Sequence, residues 1–287
     1  MIEYEQHLQL PAKYVKTKIL EFLSEDIPKG DVTTNSIINT KTIVDAEIQA
    51  VEKFIFVGTQ IIPHFFSPKC KVNIYKEDGD LIEPKEILGT INGPAHIILT
   101  RERVMLNLIQ RLCGIATEAK KYSQLARAFD IKILDTRKTT PGLRLFEKHA
   151  IAVGGAYNHR LNLSEGFLIK DNHIYSAGSV TSAIKSAIKS NPRLPLEIEV
   201  ENLDQIQEAL KLRVDGFLLD NMPPSKIKKA IAIIRNSSKG GEIFIEASGG
   251  INNKNINLYL NTGINAISIG ALTHSVKNKD IRLEFIS

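Results

Sequence analysis

Residues 196–221 read LEIEVENLDQIQEALKLRVDGFLLDN. LEIEV and GFLLD are short, mostly apolar runs, and the segment between them places Leu203, Ile206, Ala209 and Leu210 at helical spacing. Strand, helix and strand in so short a span describe a parallel βα unit, because parallel neighbours need a crossover connection.

The unit repeats in both directions. IKILD (131–135) precedes LRLFEKHAIAV (143–153), and FLIKD (167–171) precedes VTSAIKSAIKS (180–190). GFLLD is followed by PSKIKKAIAIIR (224–235), then EIFIEAS (242–248) by NKNINLYLNTG (253–263), ending at AISIG (266–270). Such alternation predicts a parallel sheet covered by helices. A complete eight-stranded barrel takes roughly 250 residues, more than remain after Ile131, so the expected fold is an open α/β barrel of about six to seven parallel strands. An open Rossmann-like sheet competes, but no GxGxxG follows a strand and no GxxxxGK[ST] occurs, so dinucleotide and P-loop chemistry lose their support.

Upstream the pattern is different. PAKYVKTKILEFLSED (11–26) has helical spacing, PKGDVTT breaks it, and TIVDAEIQAVEKFIFVG (42–58) alternates like a long strand or hairpin. Residues 70–99 predict several short strands joined at Asp-Gly and Gly-Pro turns, and a long helix is expected from Arg103. The expected organisation is an α+β domain over 1–105 and the barrel over 106–274, with the tail 275–287 packing on the first domain.

Composition limits the chemistry. The chain has 287 residues, 43% hydrophobic and 24% charged, which describes a globular protein. The net charge of +5 fits anionic ligands only weakly. Cys70 and Cys113 belong to no CxxC or Cys/His cluster, so neither a disulfide framework nor a zinc site is expected. The N-terminal MIEYEQHLQL lacks a basic segment followed by an apolar one, and no apolar run approaches the ~18 residues of a membrane span. A cytoplasmic protein without membrane partners is expected. Nucleic-acid binding would call for a basic stripe with stacking aromatics, whereas here there is no Trp and the cations are interleaved with carboxylates.

In a parallel barrel the C-terminal ends of the strands build the active site. Those ends carry Asp135 with Arg137 and Lys138; Lys170 with Asp171 and Asn172; Glu197, Glu199 and Glu201; Asp220 with Asn221; Glu246 with Ser248, Gly249 and Gly250; and Gly270. A single charge at a strand end is ordinarily a loop residue or a cap, but so many in succession would share one mouth. Glu197, Glu199 and Glu201 alternate with Ile198 and Val200 and point to one face. Inside a barrel a lone carboxylate is costly, so at least one should meet a lysine, an arginine or Mg²⁺, with Glu197 alternatively in a structural ion pair lower down. Ser248-Gly249-Gly250, read as a turn between strand and helix, and the glycine end at Gly270 offer backbone N–H groups to a phosphate. Arg137, Lys138, His159, Arg160 and Lys170 fall on loops or strand ends, where they could grip a dicarboxylate. Arg144, Lys148 and His149 fall on a helix and are expected at the surface; no purpose is assigned to Arg144.

DTRKTTPGLR (135–144), EKHAIAVGGAYNHRLNLSEGFLIKDNH (147–173), EIEVENL (197–203), LLDN (218–221), EASGGI (246–251) and ISIGALTHS (267–275) resemble, in order and spacing, the quinolinate phosphoribosyltransferases. EDIPKGDVTT (25–34) and RERVMLNLIQRLCGIAT (101–117) agree as well. The resemblance implies an N-terminal α/β sandwich and an open barrel whose mouth is covered by the sandwich of a partner subunit, in a homodimer or a hexamer. It implies transfer of phosphoribosyl from 5-phosphoribosyl 1-pyrophosphate to quinolinate with Mg²⁺, releasing pyrophosphate and CO2 and forming nicotinate mononucleotide for NAD synthesis. By position it assigns Arg137, His159, Arg160 and Lys170 to quinolinate, with Arg103 from the neighbouring chain, and Lys138 to both substrates. Glu199 and Asp220 match the acidic pair near ribose and metal, directly or through water; Ser248, Gly249, Gly250, Gly270 and His274 match the phosphate pocket. Ala156 and Asn162 stand where the family often has glycine, beside the charged positions. Nicotinate phosphoribosyltransferase and the molybdenum-operon paralogue are the related alternatives, against which LIKDNH with NHR favours the quinolinate enzyme. A non-catalytic sensor of phosphoribosyl ligands would be expected to lose Glu199, Asp220 or Lys138.

Overall fold

The structure is a computed structural model that describes residues 2–286. By packing, the chain forms two compact units. One comprises residues 7–120, 145–155 and 275–287; the other comprises residues 1–6, 121–144 and 156–274.

The first unit opens with α1 (Ala12–Asp26), whose Val15, Ile19 and Leu23 form a buried stripe, and the short α2 (Val32–Ile37), capped by Asp31, which accepts from the Thr34 N–H. Then come β1 (Ile43–Ala50), β2 (Phe54–Ile55), α3 (Ile62–Phe66), β3 (Lys71–Ile74), β4 (Leu81–Ile82), β5 (Ile87–Pro94) and α4 (Ala95–Arg127). β5 pairs antiparallel with both β1 and β3, and β1 pairs on its other edge with the C-terminal strand Ile281–Ile286. Helix α4 begins at Ala95, so AHIIL (95–99), expected as strand, is its first turn; an apolar run that short has no period of its own. Helix α2 begins within the stretch expected as a break, and α3 falls where no element was expected.

Helix α5 (Arg144–Val153) corrects one expectation: Lys148 and His149 are fully buried. Beside them the buried Glu147 pairs with Arg111 at 2.6 Å, and the His149 ring lies 2.9 Å from the His7 carbonyl oxygen and 3.5 Å from Asp78. Asp78 also accepts the N–H groups of Gly58 and Thr59, and these contacts hold its carboxyl below the usual range despite burial. A helix read as surface for its charges is therefore a buried polar element whose charges have partners.

In the second unit, β6 (Lys132–Leu134), β7 (Phe167–Ile169), β8 (Leu196–Val200), β9 (Gly216–Asp220), β10 (Phe244–Ser248) and β11 (Ala266–Ser268) form one parallel sheet in the order β6-β11-β10-β9-β8-β7. One further pairing, β6 to β7, would close a ring, and it is not made: this is the expected open barrel, with six strands. Tyr157 lies along the free edge of β6, bridged to Leu134, with its N–H donating to Ile133 O and its carbonyl accepting from Asp135 N. The crossovers contain α6 (Asp171–Ala177), α7 (Val180–Ser190), α8 (Leu203–Ala209) and α9 (Pro224–Arg235), and α10 (Ala271–His274) follows β11. Sequence patterning missed α6. Its start is marked by His173, whose ring accepts the Lys170 N–H, and its end by Gly178 at φ 87°. Ser179 and Asn202 cap α7 and α8 through the N–H groups of Ser182 and Gln205. The strand Ile281–Ile286 is β12.

NKNINLYLNTG is not the α-helix expected but a turn of 3₁₀ helix at Ile256–Leu258. Asparagine side chains capture the backbone there: Asn255 accepts from Asn252 N and donates to Gly250 O, and Asn252 accepts from Lys254 N. Local bonds of this kind compete with helix.

Tight helix packing yields a stability test. A Cβ on Gly154 would lie 2.5 Å from Ala116 O and 2.6 Å from Ala119 Cβ on α4, whereas one on Gly155 would meet nothing within 4 Å, although its φ is 83°. Gly154→Ala should cost about 1–3 kcal/mol through overpacking that no rotamer relieves. Gly155→Ala should cost about 1–2 kcal/mol from backbone strain alone. Urea midpoints measure both, and loss of helix contact in the first variant alone should also speed exchange of α4 amides.

Candidate active site

All six strands of the parallel sheet end around one cavity of about 560 Å³. Arg137 and Lys138 follow β6, Lys170 follows β7, Glu199 comes from β8, Asp220 ends β9, Glu246 and Ser248 come from β10 and Ser268 ends β11. His159, Arg160, Gly249 and Gly250 complete the set used below. Most of the charges read at separate strand ends therefore share one mouth, while Asp171, Glu197 and Glu201 do not line it. Arg103 lies elsewhere, exposed on α4.

The cationic side is underpartnered. Arg160 is 5% exposed and donates from Nη1 to Gly166 O at 2.8 Å, but its Nε is buried without a hydrogen-bond partner, and so is Nε of Arg137. Burial, together with the Arg144 and Arg160 charges, pulls the Arg137 pKa below its ordinary value. Guanidiniums held together against repulsion form a site that an anion stabilises. Arg144 now has a purpose: its Nε donates to Thr139 Oγ1 at 3.0 Å and its Nη1 to Leu161 O at 3.4 Å, tying the loop after β6 to the segment after Arg160.

Lys170 Nζ lies 2.5 Å from Glu199 Oε2, so the glutamate at the mouth has the cationic partner that burial demands. Leu218 is the register partner of Glu199 on β9, and Asp220 stands two residues farther along the same face. Asp220 accepts from the Asn221 side chain at 2.6 Å. Glu201 lies beyond β8 and is exposed.

The glycine end is set by contact as much as by conformation. Gly249 has φ 91°, and a Cβ there would lie 2.2 Å from Asn221 Oδ1; Gly250 has φ 62° and open space beside it. Two successive left-handed residues turn neighbouring N–H groups toward one side. A loop rather than a helix follows, so no helix N-terminus adds to these N–H groups. A Cβ on Gly270 would meet Lys138 Cδ at 3.0 Å and the His274 ring at 3.1 Å, so that glycine makes room for both side chains. Thr273 Oγ1 donates to Lys138 O at 2.7 Å and fixes the lysine backbone.

Asp135 and Glu246 were named in the sequence only for their places at strand ends, and Asn158 not at all; the structure gives each a specific contact. Asp135, fully buried, accepts from Asn158 Nδ2 at 2.8 Å and from His159 N at 2.7 Å and so holds the Asn158-His159-Arg160 turn. Glu246 is fully buried on β10, and His159 Nε2 lies 3.4 Å from Glu197 Oε2 and 3.6 Å from Glu246 Oε2. Burial, then the neighbouring Glu197, pushes the Glu246 carboxyl up to about 8. For the His159 ring, burial acts downward and the facing carboxylates outweigh it. The backbone N–H of Arg160 donates to His159 Nδ1 at 2.9 Å, which places the ring's proton on Nε2.

Among the described residues, His159, Glu197 and Glu246 are the one group whose potential ligand atoms all lie within 4.8 Å of one another. An Nε2–H has no lone pair for a metal, so the group fits a proton-bearing cluster. Glu199 and Asp220 fit a hard cation better, as carboxylates at the mouth beside the underpartnered guanidiniums.

The Glu246 shift has a sign that can be checked. A carboxyl with folded pKa near 8 and unfolded pKa near 4.5 keeps its proton in the native state while the unfolded chain loses it. Its contribution to stability is complete below the unfolded pKa and is lost as pH rises toward the folded value. Glu246→Gln should therefore flatten the decline in unfolding free energy between those pH values, measured by urea denaturation across pH 5–9.

The family model described as the quinolinate phosphoribosyl transferase C-terminal domain matches residues 115–284, and the corresponding N-terminal domain matches residues 31–113. A probable carboxylating nicotinate-nucleotide pyrophosphorylase of Bacillus subtilis is 41% identical over 282 residues, covering 97% of this chain and 94% of its own. The carboxylating nicotinate-nucleotide pyrophosphorylase of Mycobacterium leprae is 36% identical, covering 91% and 94%. The solved nicotinate-nucleotide pyrophosphorylase of Francisella tularensis superposes with a TM-score of 0.91 at 33% identity, over 99% of this chain and 100% of its own. With both domain models matched in order and the charged strand ends converging on one cavity, this chain belongs to the quinolinate phosphoribosyltransferase family.

Proposed function

We propose that this chain transfers phosphoribosyl from 5-phosphoribosyl 1-pyrophosphate to quinolinate, with loss of CO2, to give nicotinate mononucleotide and pyrophosphate for NAD synthesis. The observation that carries this reading is a pair of guanidiniums, Arg137 and Arg160, each with a buried Nε lacking a partner, in the same cavity as the Lys170–Glu199 pair. A pyridine dicarboxylate supplies the acceptors those donors lack. The names of the relatives support the same chemistry.

Arg137, Arg160 and Lys170 bind the two carboxylates of quinolinate, with His159 beneath them, and Lys138 stands between both substrates. Ser248, Gly249, Gly250, Gly270 and His274 take the 5-phosphate. The two substrates are anions that repel until these cations screen them. As the C1–pyrophosphate bond breaks, its electron pair leaves with pyrophosphate and positive charge develops on the ribose. Glu199 and Asp220 supply negative potential there, as carboxylates do at other oxocarbenium-like centres. The pyridine nitrogen bonds to C1 and the ring becomes cationic. The C2–carboxylate bond then breaks, CO2 departs, and the electron pair left on C2 takes up a proton.

Glu199 and Asp220 would hold Mg²⁺, directly or through water, an arrangement that suits a cation taking few protein carboxylates and several substrate oxygens. When bound, it neutralises charge on pyrophosphate. Arg103, exposed on α4, completes the quinolinate site of a second copy in a homodimer, the role that the resemblance implies for it. The enzyme acts in the cytoplasm.

Nicotinate mononucleotide and CO2 should form from quinolinate and the phosphoribosyl donor but not when nicotinate replaces quinolinate; equal use of nicotinate would sink the specificity argument. Arg160→Ala and Lys138→Ala should each lower kcat/KM for quinolinate by about 100-fold or more, because a buried or bound anion loses its partner. Lys138 is exposed, so its variant should keep the native circular dichroism spectrum. Arg103→Ala and Lys138→Ala chains, each inactive alone, should recover activity on mixing, since a hybrid dimer contains one intact site. No recovery in verified hybrids would exclude a shared site.

A further inference from the structure

Residues 2–6 run beneath the cavity and make contacts that the binding scheme above does not use. Ile2 is buried with Leu134, Phe244 and Ala266, and Tyr4 packs against that cluster. The Tyr4 ring stacks on His159 with centroids 4.8 Å apart and planes at 28°. Its hydroxyl is buried without a hydrogen-bond partner and lies 3.5 Å from where a Cβ on Gly166 would stand. Gly166 O is the acceptor that holds Arg160 Nη1. Gln6 grips the same turn from below: its Oε1 accepts Asn158 N at 2.8 Å, and its Nε2 donates to Asn158 O at 3.3 Å and to Tyr4 O at 2.9 Å.

The turn Asn158-His159-Arg160 is thus held by Asp135 on one side and by this strap on the other. The His159 ring is held from several directions. Nδ1 accepts from the backbone N–H of Arg160, Nε2 faces Glu197 and Glu246 at more than 3.3 Å, and the Tyr4 ring lies against one face. With both nitrogens directed into the protein, His159 acts on the site chiefly through where it places Arg160.

We propose that the segment Ile2–Gln6 is a positioning strap, in which Tyr4 sets the His159 ring by stacking and Gln6 sets the turn, so that Arg160 presents its guanidinium to the dicarboxylate. The claim rests on the reading of the cavity as the quinolinate site. Burial and the carboxylates of Glu197 and Glu246 push the Tyr4 hydroxyl pKa upward, so it stays a neutral stacking partner at any working pH. A ring locked by its neighbours, which in turn locks an anion-binding residue, is how a site is held to sub-ångström geometry.

Selective ¹⁵N-histidine NMR of the full chain without substrate reports the His159 ring directly, with the signal assigned by its disappearance in His159→Gln. Tyr4→Ala should shift or broaden the His159 resonances, and Tyr4→Phe should leave them near native. In kinetics, Tyr4→Ala should raise KM for quinolinate about tenfold while KM for the phosphoribosyl donor changes less than about twofold, the pattern of lost positioning at one substrate. Tyr4→Phe should restore the native value. If Tyr4→Ala does not fold, as judged by thermal melting, Gln6→Ala undergoes the same measurements with the same expected direction. Unchanged His159 resonances, or equal increases in KM for both substrates, would overturn the strap. A native chain inactive on quinolinate would instead overturn the reading of the cavity, while the NMR comparison still decides the strap.

Discussion

Everything in the parallel unit depends on how the unclosed side of the barrel is sealed. β6 and β7 are the two end strands of the sheet and share no ladder, and an exposed strand edge with free N–H and C=O groups is a liability. Tyr157 satisfies part of the β6 edge, and the buried carboxylate of Asp135 turns the chain immediately afterwards by accepting from Asn158 and His159. The gap in the ring is thereby filled by the Asn158-His159-Arg160 segment. Architecture and chemistry coincide here: the missing strand pair provides the place where an arginine enters the interior.

Charge then decides what that interior can hold. Its walls carry guanidiniums pressed together with unpartnered donors on one side and carboxylates on the strands opposite. The guanidiniums lack acceptors, whereas Glu199 already pairs with Lys170 and Asp220 accepts from Asn221. A dianion relieves the first set, and the second can face a developing cationic centre, so the cavity suits anionic reactants between which positive charge develops. Glu246, pushed toward pH 8, keeps a proton beneath this and limits the negative charge that the buried floor must tolerate.

The fold was legible because buried parallel strands are short apolar runs and crossover helices have a 3.6 period, as LEIEV and NLDQIQEALKL display. The strand-end charges were legible for the same reason: once the strands are placed, their polar ends are placed too. What could not be read was whatever depends on partners remote in sequence. Lys148 and His149 have helical neighbours that say surface, yet both are buried, His149 against Asp78 and His7, beside Glu147 paired with Arg111. Asn255 was counted within an amphipathic segment that Asn252 precedes, although side-chain bonds of both to the backbone defeat the helix. Tyr4, more than 150 residues from its stacking partner, carries no local sign of it.

Glu246 is the instructive intermediate case. In the sequence it was named only as a strand end, yet the cost that makes an inward carboxylate need a partner, raised there for Glu197, Glu199 and Glu201, applies equally to its place in FIEAS. Two such residues on strands β8 and β10 double that cost unless they share a solution. In the structure they share His159, and burial raises one of them until it retains its proton. An apolar floor would be less costly to fold. A polar floor does what an apolar one cannot, because it fixes the orientation of an imidazole whose other nitrogen accepts the backbone N–H of Arg160. In the proposed reading, the buried carboxylates are therefore the lower half of the quinolinate site.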